Sequence, residues 1–248
     1  AALLLRQQGY EVFGVTLRLR SAGASDPQEQ DIADARSVAD TLGIPHTVLD
    51  LRELFQREVM DRFVSEYAAG RTPNPCVDCN RCIKFGALLD WALDHGADAL
   101  ATGHYARVGQ NEASGRHLLL RGTDRRKDQS YVLYQLTQHQ LSHLLLPVGS
   151  CEKPKLRAMA EQAGLRNAHR ADSQDICFIP DGDYVSFLRS YGGVVSVPGD
   201  FVDLEGRVLG RHKGLECYTT GQRKGLGVSA GVPVYVVRKD LDAGTVVL

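Results

Sequence analysis

The sequence predicts an α/β fold, a parallel sheet with helices on both faces, followed by a small mostly-β domain. Two observations carry this. The first half of the 248 residues alternates β-rich runs with apolar patterns of helical period, each pattern closed by a glycine. From about Gly192 the composition shifts to glycine, valine and turn residues, as in short antiparallel strands. The boundary is placed near residue 190, giving domains 1–190 and 191–248.

The elements follow in order. Ala1–Gln8 reads as a helix ended by Gly9, with neither an initiator methionine nor a cap before it, so the sequence is expected to begin inside a longer protein. Glu11–Leu17 is a β-rich run. Asp26 and Pro27 supply an N-cap and a first-turn proline, and Ile32, Ala35, Val38, Ala39 and Leu42 form one helical face. Ser21–Gln30 is otherwise a polar loop. His46–Leu51 is a strand. Leu54, Phe55, Val59, Phe63 and Tyr67 line the next helix. A helix through Trp91 leads to the strand Ala97–Thr102, and Asn111–Arg116 is the tip of a hairpin between Tyr105–Val108 and His117–Arg121. Helices are expected near Ser130–Leu136, Lys155–Gly164 and Asp181–Tyr191. Val197–Leu204, Val208–Gly210, Val234–Arg238 and Thr245–Leu248 read as antiparallel strands.

Composition excludes some functions. No apolar stretch reaches about 18 residues, so no membrane-spanning helix is expected. The net charge of −1 gives no global attraction to nucleic acid, although Arg121, Arg125, Arg126 and Lys127, then Arg211, His212 and Lys213, then Arg223 and Lys224 cluster locally. The bland reading of such clusters is solvated surface. Six irregularly spaced cysteines in a core-rich chain point to a reducing cytosol rather than a disulfide scaffold.

The most informative segment is Thr72–Phe85. Cys76, Cys79 and Cys82 form a C-x2-C-x2-C run behind two prolines and ahead of the helical pattern Ile83, Leu88, Leu89, Ala92. This places thiols on a stiff loop at a helix start, where backbone N–H groups and the helix dipole favour thiolate. On a continuous helix the three would share roughly one face. Sulfur chemistry, a zinc knuckle and an iron–sulfur site with an open position all fit such spacing. Cys177 reads as a short strand opening into a polar loop, with Asp172-Ser173-Gln174-Asp175 before it. Cys151 and Cys217 have no reactive neighbours in sequence. In an open parallel sheet, ligands sit at the carboxyl ends of strands. Two ends matter, the one after Leu17 and Gly103-His104-Tyr105. Lys127-Asp128-Gln129-Ser130 is either a helix N-cap or a polar clamp on phosphate or base edges.

Five motifs in order resemble the tRNA-specific 2-thiouridylases, the MnmA/TrmU family of PP-loop ATP pyrophosphatases. They are Arg71–Pro75 with Cys79-Asn80 and Ile83-Lys84-Phe85; Ala101–Tyr105; Lys127–Tyr131; Asp175–Ile179; and Gly221–Gly227. The resemblance covers nearly the whole chain. It implies ATP-dependent thiolation of the wobble uridine: ATP (with Mg) adenylates the C2 carbonyl oxygen, sulfur attacks C2 and AMP leaves. By motif, Cys79 is the nucleophile and Cys177 the persulfide carrier. Asn74, Pro75 and Cys76 meet the target base, and His104, Lys127, Asp128 and Gln129 contact tRNA. Leu17 and Gly103 contact nucleotide, with leucine where methionine is familiar. The sulfurs of Cys79 and Cys177 are expected to approach one another.

Two mechanisms stay open at this point, a persulfide relay and a [4Fe-4S] cluster held by Cys76, Cys79 and Cys177. Cys82 is unassigned. A sulfur-donor protein (a relay protein or a cysteine desulfurase) is the implied partner, and the location is cytoplasmic. The family's Ser-Gly-Gly-x-Asp-Ser loop and its last β-barrel have no counterpart in these residues, so weak ATP binding by this piece is expected. Other readings are a PP-loop enzyme adenylating a small molecule, and a metal-stabilised RNA-binding module without catalysis.

Overall fold

The computed structural model describes residues 1–20, 27–169, 175–229 and 231–248. The expected Asp26 cap, most of the Ser21–Gln30 loop, and Asp172–Gln174 lie outside the described residues. The chain forms two compact units, one of residues 1–58 with 76–172 and one of residues 59–75 with 173–248.

The chain opens with α1 (Ala2–Gln7), β1 (Gly14–Arg18), α2 (Pro27–Leu42) and β2 (His46–Asp50). α2 buries Ile32, Ala39 and Leu42, three residues of the expected face, and stops at left-handed Gly43. β1 and β2 pair in parallel, Gly14 opposite His46 through Arg18 opposite Asp50. α3 (Arg52–Phe55) continues as a π-helix, Gln56–Asp61, into α4 (Arg62–Ala68). Phe55, Val59, Phe63 and Tyr67 are all buried. They recur every fourth residue, a spacing longer than an α-turn. The i→i+5 bonds of the π segment widen the turn and keep the stripe aligned.

The cysteine segment is helical throughout: α5 (Pro75–Asp78), a π-helix over Cys79–Ala87, then α6 (Leu88–Asp94). The thiols are therefore on a helix, not on the loop expected before one. β3 (Leu100–Ala101), β4 (Ala106–Gln110) and β5 (His117–Arg121) follow. β4 and β5 are the expected hairpin. Of the helix expected near Ser130–Leu136, only a 3₁₀ turn over Ser130–Val132 forms. Instead α7 (Gln138–Ser142) starts from a capping box of Thr137 and Gln140. β6 (Leu144–Leu145) pairs in parallel with β3. The α/β half thus holds parallel strand pairs packed with helices, around Phe85, Leu88, Leu89, Leu100, Leu133 and Leu144. α8 (Lys153–Gln162) completes this unit.

The second unit carries α9 (Tyr184–Ser190), β7 (Gly199–Val202), β8 (Val208–His212), β9 (Arg238–Asp240) and β10 (Thr245–Val247). The sheet order is β8-β7-β10-β9, and β10 runs parallel to β7, where antiparallel pairing was expected throughout. Phe201, Tyr218, Val236 and Val246 fill its core. His212, read as part of a surface charge run, is buried. Gly214 N–H donates to its Nδ1 at 3.2 Å, and its Nε2 meets the Gly244 carbonyl at 3.0 Å.

Candidate functional site

A cleft of about 540 Å³ runs along β1, from Val12 before the strand to Leu17 near its end, and past β3 into the turn that follows it. Leu17 lines it from β1, and Thr102, Gly103 and His104 from the turn after β3. Lys84, Leu88 and Ala92, spaced four apart along the cysteine-bearing helix, line the facing wall, and Gln129 closes one side. Leu17, Gly103, His104 and Gln129 were expected as site residues, and the structure brings them to one cavity. Thr102 and Lys84 were not assigned. The signal for Lys84 was present in the Ile83-Lys84-Phe85 motif.

A Cβ on Gly103 would meet nothing within 4 Å. The fold itself does not require glycine there. His104 is 9% exposed, and its Nδ1 lies 2.7 Å from Thr102 Oγ1. Burial, then the nearby Lys84 ammonium, pull its pKa down to about 3. At neutral pH the ring is an uncharged imidazole, able to offer one hydrogen bond into the cleft without adding charge.

Polar side chains from residues 129–140 hold the walls in place. Gln129 Oε1 accepts the Tyr105 N–H at 3.0 Å, while its own N–H donates to the Tyr105 carbonyl at 2.9 Å. Asn80 donates from Nδ2 to the Val132 carbonyl at 3.0 Å, and Gln140 Nε2 donates to the Phe85 carbonyl at 2.7 Å. Both bonds tie the π-helix to this segment. Asn80 Oδ1 is buried and, among the described residues, has no hydrogen-bond partner. Asp128 works internally, accepting from Gly122 N–H at 2.8 Å and Ser130 Oγ at 2.9 Å. Lys127 lies outside the first cleft and lines another.

The cysteines differ in setting. Cys76 is exposed on α5, Cys79 is buried at the start of the π-helix, and Cys82 is half-buried. The three differ in exposure, and the π-helix from Cys79 advances fewer degrees per residue than the α-helix on which one shared face was expected. Asn74 is exposed and Pro75 buried at the first position of α5. Cys177 is exposed on a turn, not a strand, closed by Ile179 N–H to the Ile176 carbonyl at 2.8 Å. Phe178 and Ile179 are buried beside it, Phe178 packing on Phe63 and Phe187 with ring centroids 5.5 and 5.1 Å away. Cys151 and Cys217 are half-buried. Burial, then the adjacent Glu216, push the Cys217 thiol pKa up. Among the described residues no three His, Cys, Asp or Glu side chains are gathered as a metal site.

Two family models cover the chain, the tRNA methyl transferase HUP domain over residues 1–181 and the tRNA methyl transferase PRC-barrel domain over residues 185–248. Among similar proteins are three named tRNA-specific 2-thiouridylase MnmA. That of Treponema denticola is 52% identical over 250 residues, covering 99% of this chain and 68% of its own length. The Carboxydothermus hydrogenoformans protein is 52% identical, covering 95% and 67%. The Heliobacterium modesticaldum protein is 50% identical, covering 100% and 66%. The chain thus spans about two thirds of the length of these relatives. It belongs to the MnmA family.

Proposed function

From that membership we propose that the chain is the catalytic part of a tRNA 2-thiouridylase, which uses ATP to replace the C2 oxygen of a uridine in tRNA with sulfur. The domain models carry a methyl-transfer name and the relatives a thiolation name. The cysteine settings favour thiolation, since they place one thiol in a helix beside the lined cleft's wall and offer another to solvent. The observation that carries the reading is that cleft, whose lining takes in Leu17 and the turn after β3, toward the strand ends where nucleotides bind in parallel sheets.

The reaction follows in balanced steps. The uridine C2 oxygen attacks the α-phosphorus of ATP, and pyrophosphate leaves. The outer sulfur of a Cys177 persulfide adds to C2, and AMP leaves with the original oxygen and its bonding pair. The Cys79 thiolate then attacks Cys177 Sγ. The S–S bond breaks, and its electron pair stays on the sulfur now attached to C2. A Cys79–Cys177 disulfide remains, and an external dithiol resets it. A cytoplasmic sulfur-donor protein supplies each new persulfide. Asn74, Pro75 and Cys76 meet the unstacked base, because C2 is out of reach in a stacked one. Leu17 and Gly103 border the nucleotide, and neutral His104 faces substrate without repelling or neutralising it.

Gly103→Ala tests the cleft. The added methyl has room in the fold, so thermal stability should stay unchanged while the KM for ATP rises at least tenfold, on the order of 1.4 kcal/mol. Unchanged ATP kinetics would move the nucleotide elsewhere. Mass spectrometry of the tRNA, given ATP, a persulfide donor and a sulfonium methyl donor together, should show 2-thiouridine, and a methylated uridine instead would decide for the other name.

A further inference from the structure

α4 carries two parts of the reaction on one rod. Near its start Phe63 packs against Phe178, the residue after Cys177, with ring centroids 5.5 Å apart. Its end leads into Arg71–Pro75, the segment that contains Asn74. Gly70 stands seven residues after Phe63 (70 − 63), a rise of about 10 Å along a helix. Residues 59–75 and 173–248 belong to the same compact unit.

The helix ends in a Schellman motif. Gly70 is left-handed at φ +72°, its N–H donates to the Tyr67 carbonyl at 2.9 Å, and the Arg71 N–H donates to the Glu66 carbonyl at 2.9 Å. Such an end is often covered by an apolar contact between the two residues that stand where Arg71 and Glu66 do. Here those two form a surface ion pair instead, a weak fastening. The apolar cover comes from Leu241. A Cβ on Gly70 would stand 3.1 Å from Leu241 Cδ2, so the leucine lies directly on the glycine.

Leu241 has a rigid mount. It opens the turn between β9 and β10, which pair antiparallel with Asp240 opposite Thr245. Asp240 braces that turn: its Oδ1 accepts the Ala243 N–H at 3.0 Å and its Oδ2 the Arg238 guanidinium at 3.1 Å. Two residues before Leu241, the Lys239 ammonium donates to the Tyr218 carbonyl at 3.0 Å and lies 5.9 Å from the Tyr67 ring centroid. The β9 edge thus meets the last turn of α4 twice. Leu241 is nonetheless 50% exposed, so it hides little surface and adds little to the core. Its contact falls where α4 hands over to the segment of Asn74.

We propose that Leu241 is a positioning residue for thiolation. By covering Gly70 it fixes where Arg71–Pro75 leaves α4, and so the spacing between the target base and the Cys177 turn that Phe63 holds. The inference rests on the thiolation reading above, with Asn74 and Pro75 meeting the base. Sulfur transfer needs this spacing, because a misplacement of about 1 Å can slow a reaction about a hundredfold.

The test compares Leu241→Ala and Leu241→Met with the unmodified chain. Leu241→Ala should lower kcat for 2-thiouridine about tenfold and speed hydrogen exchange at the Gly70 and Arg71 amides. The KM for ATP and the uptake of labelled sulfur at Cys177 should not move. Leu241→Met keeps an apolar cover of similar volume and should stay within about twofold of the unmodified kcat. A merely structural leucine would lower kcat, sulfur uptake and melting temperature together. That result, an unchanged kcat in Leu241→Ala, or a methionine variant as slow as the alanine one overturns the proposal and leaves the thiolation reading standing. If Leu241→Ala does not fold, Leu241→Val carries the same comparison. An unmodified chain that forms no 2-thiouridine overturns the thiolation reading, and the positioning role with it.

Discussion

Cys79 and Cys177 carry the same functional group in opposite settings. Cys79 is buried in the second turn of a helix whose carbonyls are gripped by Gln140 and whose Asn80 is bonded to Val132. Cys177 is exposed on a tight turn that Phe178 and Ile179 anchor from beneath. Burying a side chain of this size is worth about 1.5–3 kcal/mol, so the turn is fixed by its two apolar neighbours and not by the thiol. The difference teaches a division of labour. A thiol that takes sulfur from a macromolecular donor must be reachable, and one that completes transfer inside the site is better shielded from stray oxidants.

The largest expected effect tests this division directly. Cys177→Ser should abolish both 2-thiouridine formation and the uptake of persulfide sulfur from a donor. Cys79→Ser should abolish product formation while Cys177 still takes up labelled sulfur. Cys151→Ser should do neither. Equal loss of uptake in the first two variants would break the comparison, as would faster iodoacetamide alkylation of Cys79 than of Cys177.

A second, smaller effect concerns what keeps Cys79 in place. Asn80→Ala removes a buried hydrogen bond and leaves the Val132 carbonyl without it, at a cost of about 1–3 kcal/mol. The variant should show a lower urea midpoint and faster alkylation of Cys79, with Cys177 alkylation unchanged. Because Asn80 touches the wall and not the cleft lining, kcat should fall more than ATP affinity. Equal acceleration at both cysteines would mean that Asn80 serves stability at large.

Much of this was legible in the sequence, and what was not has a physical pattern. The strand ends after Leu17 and Thr102 followed from βα alternation, each within one residue of the observed Arg18 and Ala101. The burial of Ile83, Leu88, Leu89 and Ala92 followed from helical spacing. The π-helix over Cys79–Ala87 did not, because i→i+5 bonding has no composition of its own. Here the segment's carbonyls answer to Gln140, 55 residues away from Phe85. The internal work of Asp128 was hidden for the same reason, since an N-cap, a clamp and a turn brace share one residue type. The parallel pairing of β10 with β7 depends on a long connection that alternation cannot read. Cys177 looked like a strand residue because Ile176, Phe178 and Ile179 are β-prone, yet a turn buries two of them equally well.

The smallest effect separates the two settings by acidity. His104 belongs to the compact unit that carries Cys79, and its pKa falls from about 6.5 in the unfolded chain to about 3 in the folded one. Above pH 6.5 both states are neutral and nothing is lost. As pH falls below 6.5 the unfolded chain takes up a proton that the folded site refuses, so stability drops. At pH 5.5 the loss is roughly 1.4 kcal/mol relative to pH 8. Cys177 lies near α9, whose cap Asp183 has its pKa lowered by hydrogen bonds from Ser186 Oγ and N–H. A lowered carboxyl pKa contributes stability that is fully present above the unfolded value near 4 and is lost only below it. Between pH 8 and 5.5, therefore, acid weighs on the unit of Cys79 through His104, while the α9 cap beside Cys177 is untouched. His104→Gln should flatten the pH dependence of urea unfolding in that window, and Asp183→Ala should lower stability by the same amount at both ends of it. An unflattened curve for His104→Gln would place the titrating group elsewhere and remove acidity as a difference between the two settings.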